Sequence, residues 1–187
     1  MEAIFVFLAD GFEDIEALAT VDILRRGGLE VSTVSIMDDL CVTSAHGVKI
    51  EADMMFDDAN MDNAAMLILP GGMPGSAHLR DYKPLQQLLL RQNEKGGYIA
   101  AICAAPMALG NIGLLEGRRA TCYPGCEGTM RGAEYTAELC TVDGNIITGE
   151  GPAAAFPFAY TLLDMLKGEG ASEGLKEGMM YNHLLKR

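Results

Sequence analysis

The stretch Tyr98-Ile99-Ala100-Ala101-Ile102-Cys103-Ala104-Ala105-Pro106-Met107-Ala108-Leu109-Gly110 constrains the fold more than any other. Its first five residues are apolar, with enough bulk at Tyr98, Ile99 and Ile102 for a buried strand. Its later residues suit a helix, with Pro106 near the first turn, where a missing N–H costs least. Cys103 falls at the junction, so the stretch predicts a strand–turn–helix with a nucleophile at the bend. Ala101 and Ala105, two before and two after the cysteine, are small, as a sharp and crowded elbow requires. A helix starting just after Cys103 places partial positive charge beside its sulfur. That predicts a thiol ionising below its ordinary value, at roughly 5–6. A free cysteine taken at random is more often a core residue; its place at the junction sets Cys103 apart.

The rest of the chain repeats the alternation of strand and helix. Ala3–Ala9 is a continuous apolar run, as in a strand buried on both faces. Ile15–Arg26 reads as a helix with a basic last turn and a glycine stop at Gly27-Gly28, and Leu29–Ile36 closes a βαβ unit. A short edge hairpin is expected through Val42 and Val48–Ile50, then an acidic connection over Phe56–Asn63. Ala64–Leu69 is a third buried strand ended by Pro70-Gly71-Gly72, and Pro84–Glu94 a helix. Arg119–Tyr123 suggests a short strand. Leu139–Val142 and Asn145–Thr148 flank the turn signal Asp143-Gly144. Pro152–Leu166 and Glu173–Leu185 complete the helices. The pattern predicts one α/β domain over residues 1–187: a mostly parallel sheet with helices on both faces.

The 187 residues are 49% hydrophobic and carry a formal charge of −12, from 14 Lys+Arg against 26 Asp+Glu. That balance argues against a nucleic-acid backbone or an anionic membrane as partner. No apolar run is long enough for a transmembrane helix. The Ala3–Ala9 run lacks a basic leader and reads as a first strand, not a signal peptide. Five cysteines, an odd number without framework spacing, fit a reducing cytoplasm. Cys122 and Cys126 form a pair with no second pair to complete a zinc site, so no metal is expected; packing, surface exposure or service as a resolving thiol for Cys103 stay open. Cys41 and Cys140 are read as structural, and His78 as a surface residue.

In an open α/β sheet the ligand crevice lies beyond the carboxyl ends of the strands. There the first strand leads through Gly11 to Glu16, the third to Gly71-Gly72, and the elbow strand to Cys103. Glycines straight after a buried strand can present N–H groups to a developing oxyanion. Glu13 and Asp14 are read as solvated carboxylates at the start of a helix. An ionised Glu16 against the sulfur would raise the thiol by like-charge repulsion. If the two touch, Glu16 is expected to be protonated and to donate a hydrogen bond to the thiolate.

Four motifs together resemble the ThiJ/PfpI superfamily, in the branch of the parkinsonism-associated deglycase. They are Ala9-Asp10-Gly11-Phe12-Glu13-Asp14-Ile15-Glu16; Leu69-Pro70-Gly71-Gly72; Ala100-Ala101-Ile102-Cys103-Ala104-Ala105-Pro106; and Gly151-Pro152 with Phe156 and Phe158 downstream. The resemblance runs over essentially the whole chain. It implies a flavodoxin-like three-layer sandwich, usually homodimeric, with Cys103 as the reactive cysteine and Glu16 as its partner. It further implies oxyanion N–H groups from Gly71 or Gly72 with Ala104. The implied activities need no cofactor: glyoxalase or deglycase chemistry on small carbonyl compounds or glycated adducts. The alternative is a redox-sensing or protective chaperone role in which Cys103 is oxidised to the sulfinate without turnover.

Departures from the family narrow these activities. Relatives often carry His where this chain has Tyr123, which disfavours a Cys–His dyad. The protease-like branch has His where this chain has Ala104, which disfavours peptidase activity. Glutamine amidotransferases need a downstream His-x-Glu, and His183 is followed by Leu184-Leu185. By the same resemblance His46 is expected either to reach a partner subunit's Cys103 pocket or to be an exposed loop histidine, and Arg26 to line that pocket.

Overall fold

Alternation of side chains along buried strands sets the layers. The computed structural model describes residues 3–184. β1 (Ile4–Leu8), α1 (Asp14–Arg26) and β2 (Val31–Ser35) form the first βαβ unit. β3 (Cys41–Thr43) and β4 (Lys49–Glu51) make an antiparallel hairpin that stands apart from the main sheet as its own two-stranded sheet. Next come β5 (Met54–Met55), β6 (Met66–Leu69), α2 (Gly75–Asp81), α3 (Lys83–Glu94), β7 (Tyr98–Ile102) and α4 (Pro106–Asn111). β8 (Arg119–Ala120) and β9 (Glu134–Tyr135) pair with each other; β10 (Cys140–Asp143) and β11 (Ile146–Gly149) form a hairpin; α5 (Ala155–Lys167), α6 (Glu173–Gly178) and α7 (Tyr181–Leu184) follow.

The main sheet has seven strands in the order β10-β11-β7-β6-β1-β2-β5, all parallel except β10, which runs antiparallel to β11. In the register, Ile4 lies opposite Val31 and Met66, and Ile68 opposite Ala100. Successive side chains point to opposite faces, so each strand feeds two cores. Phe5, Phe7, Leu67, Leu69, Ile99 and Ala101 pack on one face with Leu85, Leu88 and Leu89 of α3 and Ala108 and Leu109 of α4. Ile4, Val6, Leu8, Ile68, Ala100 and Ile102 pack on the other with Ala17, Val21 and Leu24 of α1 and Phe158, Leu162 and Leu163 of α5. This is the α/β sandwich expected from the continuous apolar runs, with helices on both faces. No helix among the described residues is long and apolar enough to cross a membrane.

Several elements differ from expectation. β5, β9 and α2 were not foreseen, and the strand expected over Arg119–Tyr123 shortens to two residues. The last helix is broken, because Met180 takes φ +60° between α6 and α7; its expected end at Leu185 lies outside the described residues. Pro157 is tolerated because it is the third residue of α5, where the N–H has no helical acceptor.

Phe158 is fully buried between α5 and the sheet. Phe158→Ala should therefore lower stability by about 3–5 kcal/mol, read as a shift in the urea unfolding midpoint.

Candidate active site

β7 ends at Ile102 and the next residue, Cys103, takes φ +66°. A residue with a Cβ pays roughly 1–3 kcal/mol in that left-handed region, so the surroundings must hold it there. The Cys103 N–H donates to Gly149 O at 2.9 Å, and the Tyr123 N–H donates to Cys103 O at 2.8 Å. Ala101 and Ala105 are fully buried, as an elbow with no room for larger side chains requires. The left-handed residue delays the helix: Cys103–Ala105 form a turn and α4 begins only at Pro106. A helix dipole directly beside the sulfur is therefore not what acts on it. The amides of Gly72 and Ala104 do, and both favour the negative sulfur.

Glu16 comes from the first turn of α1 and is only 1% exposed. Its Oε2 accepts from the Gly71 N–H at 2.8 Å, and its Oε1 is buried with no hydrogen-bond partner. Burial, aided by the charge of Glu13, pushes its carboxyl up to about 7, against the opposing pull of Cys103 and the Gly71 amide. The protonated Glu16 expected from like-charge repulsion thus has a physical cause. The Gly71 amide is already engaged by Glu16, so Gly72 and Ala104 are the two donors left for an oxyanion.

Cys103 corrects the sequence reading. Burial first, then the charge and hydrogen bonding of Glu16, push its thiol above the ordinary value, opposite to the shift expected from a helix end. The contribution of Glu16 depends on its protonation. Once Glu16 holds a proton its repulsion vanishes and it becomes a donor to the sulfur. The two acids titrate as a coupled pair, and a proton on Glu16 favours the thiolate.

Glu13 is not the solvated carboxylate that its place at a helix start predicts. It is buried, and its Oε2 accepts from the Glu16 N–H at 2.8 Å, capping α1. Asp14 pairs with His46 Nδ1 at 2.7 Å, and this pairing raises the titration of His46. His46 sits in the turn between β3 and β4, with a side chain 69% exposed. Ligand atoms of Glu13, Asp14 and His46 lie within 4.8 Å of one another, but the helix cap and the ion pair already engage them. Arg26 is at the other end of α1, about 15 Å along the helix from Glu16, and pairs with Asp22 at 2.7 Å. Within the subunit it does not line the Cys103 site.

Tyr123 is tied to the elbow through its backbone. Its ring stands beside Gly151, where an added Cβ would come within 3.2 Å of it. Tyr123, Pro124, Glu150, Gly151 and Pro152 line an open groove of about 270 Å³. Cys122 is fully buried in the core on the α3–α4 face, whereas Cys103 belongs to the α1–α5 face. That placement removes Cys122 as a resolving thiol. Cys126 packs against the same core as Cys122.

The family model described as DJ-1/PfpI matches residues 2–165. The chain is 33% identical over 181 residues to Protein dj-1beta of Drosophila melanogaster, covering 95% of this chain and 97% of that one. It is 31% identical over 175 residues to the Glutathione-independent glyoxalase DJR-1.2 of Caenorhabditis elegans, covering 92% of each. It is 37% identical over 168 residues, 89% of this chain, to Protein DJ-1 homolog B of Arabidopsis thaliana, but spans only 38% of that protein's length. Among solved structures, Toxoplasma gondii DJ-1, oxidized, superposes with a TM-score of 0.92 at 31% identity, covering 96% of this chain and 98% of that one.

Burial of Glu16 has a measurable cost. Its carboxyl binds a proton more tightly in the folded chain, near 7, than at the ordinary value of 4.5. Stability should be greatest at and below the lower value, fall as pH rises toward the upper one, and level off above it. The loss amounts to ~3 kcal/mol. Glu16→Gln keeps an acceptor for Gly71 and should flatten this slope, leaving the variant more stable than the parent at pH 8. Urea denaturation across pH 4.5–8 measures both curves.

Proposed function

This chain belongs to the DJ-1/PfpI family, and from the pairing of Cys103 with a proton-holding Glu16 we propose a cofactor-independent cysteine enzyme acting on reactive carbonyls. One observation carries this reading: a carboxyl group pushed up to about 7 lies against the nucleophile at a strained elbow. That is the titration range in which a group both gives and takes protons at neutral pH.

With a 2-oxoaldehyde the Cys103 thiolate adds to the aldehyde carbon, forming the C–S bond, while Glu16 gives its proton to the carbonyl oxygen. The product is a hemithioacetal, its oxygen facing the Gly72 and Ala104 amides as charge develops. Glu16, now a carboxylate, takes the proton from that carbon and returns it to the neighbouring carbon through an enediol. The resulting 2-hydroxy thioester is hydrolysed by water to a 2-hydroxy acid and the free thiol. Atoms balance as substrate plus water, and no net oxidation occurs. Deglycation would begin from the same carbonyl carbon in an adduct. The name of the Caenorhabditis elegans relative supports this class of chemistry.

A second reading has its own support. Glu16 Oε1, buried without a partner, could donate when protonated to an oxygen of an oxidised Cys103, and the Toxoplasma gondii neighbour is described as oxidized. A peroxide would carry the sulfur through the sulfenic to the sulfinic acid. The proposed assembly is a homodimer through α1, where Ile15 and Leu18 are 51% and 40% exposed beside the hairpin that carries His46 and Val48. In that assembly His46 would reach the partner's site.

Lactate formation from methylglyoxal separates the readings. The enzyme reading expects turnover, reduced to background in Cys103→Ser and by about 10²–10⁴-fold in Glu16→Gln. Turnover surviving Cys103→Ser would sink it, while stoichiometric oxidation without turnover would favour the sensor. For the assembly, Leu18→Glu should shift sedimentation from dimer to monomer; a monomeric parent would end that part of the proposal.

A further inference from the structure

The start of α1 and the end of β6 are closed into a ring of three hydrogen bonds. The Glu13 N–H donates to Gly71 O at 2.9 Å, the Gly71 N–H donates to Glu16 Oε2 at 2.8 Å, and the Glu16 N–H donates to Glu13 Oε2 at 2.8 Å. An added Cβ on Gly71 would meet both Glu16 Oε2 and Cys103 Cβ, so the ring lies directly against the nucleophile. A helix cap alone does not account for Glu13. Ser, Asp or Asn caps a helix with less side chain to immobilise, whereas Glu13 brings a carboxylate to a position only 8% exposed. Among the described residues no Lys or Arg pairs with it. Facing it are Glu16 and Asp14 on α1 and His46 from the turn between β3 and β4. His46 Nδ1 is taken by Asp14 at 2.7 Å. The charge of Glu13 is felt at the Glu16 carboxyl, in the same direction as burial.

We infer that Glu13 is a positioning residue of the site: its carboxylate holds the first turn of α1 in the ring, and its negative charge keeps the proton on Glu16. Glu13 takes no part in the proton exchange itself. It acts through Glu16, because a neighbouring like charge makes the second carboxylate harder to form. Removing one such charge in a part-buried setting changes proton affinity about tenfold, or about one pH unit. This deepens the carbonyl reading above and rests on it for the reaction, but not for the state of Glu16.

The experiment follows the Glu16 carboxyl carbon by NMR across pH 5–9 in protein isotopically labelled at glutamate side chains, its signal identified by its loss in Glu16→Gln. A Cys103→Ser background removes the coupled thiol. Glu13→Gln and Glu13→Ser each keep an oxygen for the Glu16 N–H and remove the charge; Glu13→Asp keeps both. The Glu16 midpoint should fall by about one pH unit in the first two and stay near the parent's in the third. Urea unfolding measures the cap separately, and Ser, a favoured capping residue, keeps the test open if the Gln variant does not fold. A midpoint unmoved in both neutral variants, or lowered as far by Glu13→Asp, overturns the inference. With Cys103 restored, the alkaline limb of methylglyoxal turnover should move down by the same amount in Glu13→Gln, whereas loss of a purely structural cap lowers turnover alike at every pH. If the parent does not turn over methylglyoxal while the NMR midpoint still follows the charge at residue 13, the carbonyl reading falls and the role of Glu13 stands.

Discussion

A carboxyl group denied water organises this molecule. Glu16 is held away from solvent by the first turn of α1, with one oxygen on the Gly71 amide and the other unpartnered. An ionised carboxylate there is expensive, and the cheaper state keeps the proton. The neighbouring positions follow from that contact. A Cβ on residue 71 would collide with Glu16 Oε2 and with Cys103 Cβ, so only glycine lets the acid and the thiol meet. A Cβ on residue 72 would strike the backbone of Gly11, Phe12 and Glu13, the turn that starts α1. The acid, the elbow and the two glycines form one packing unit built from three strand ends.

The site is best regarded as sharing one proton between two acids. With the proton on sulfur, the carboxylate is buried and opposes ionisation of the thiol. With the proton on Glu16, the Gly72 and Ala104 amides favour the negative sulfur and the acid adds a third donor. Burial weakens both charged forms, so the balance is decided by which negative group has the better-placed N–H groups. The exchange needs no third titratable side chain.

Much of this was legible in the sequence. Ala3–Ala9, Ala64–Leu69 and Tyr98–Ile102 declared themselves as strands because continuous apolar runs have few other uses in a chain this size. Cys103 stood out because it falls where a strand pattern meets a helix pattern, whereas Glu16, by its position alone one more first-turn carboxylate, was singled out by the family resemblance. β5 and β9 were hidden by their length of two residues, since pairing that short is set by neighbours and not by pattern. α2 was hidden because Gly75-Ser76-Ala77-His78 carries no apolar period. The break at Met180 was hidden because methionine does not signal a left-handed residue. Glu13 escaped as a helix cap because glutamate is not among the favoured capping residues. The direction of the Cys103 shift was misread because the helix starts two residues later than its sequence suggests, and because a sequence does not state how deep a thiol lies.

The backbone ties that hold Cys103 reach far along the chain. Its N–H is caught by Gly149 and its C=O by Tyr123, so the bend at residue 103 is stabilised by segments made after it. A nascent chain that has just delivered Cys103 from the ribosome lacks both restraints. The left-handed bend at Cys103 is held in full only when β11 pairs with β7. During synthesis both restraints therefore become available only well after Cys103 itself has been made.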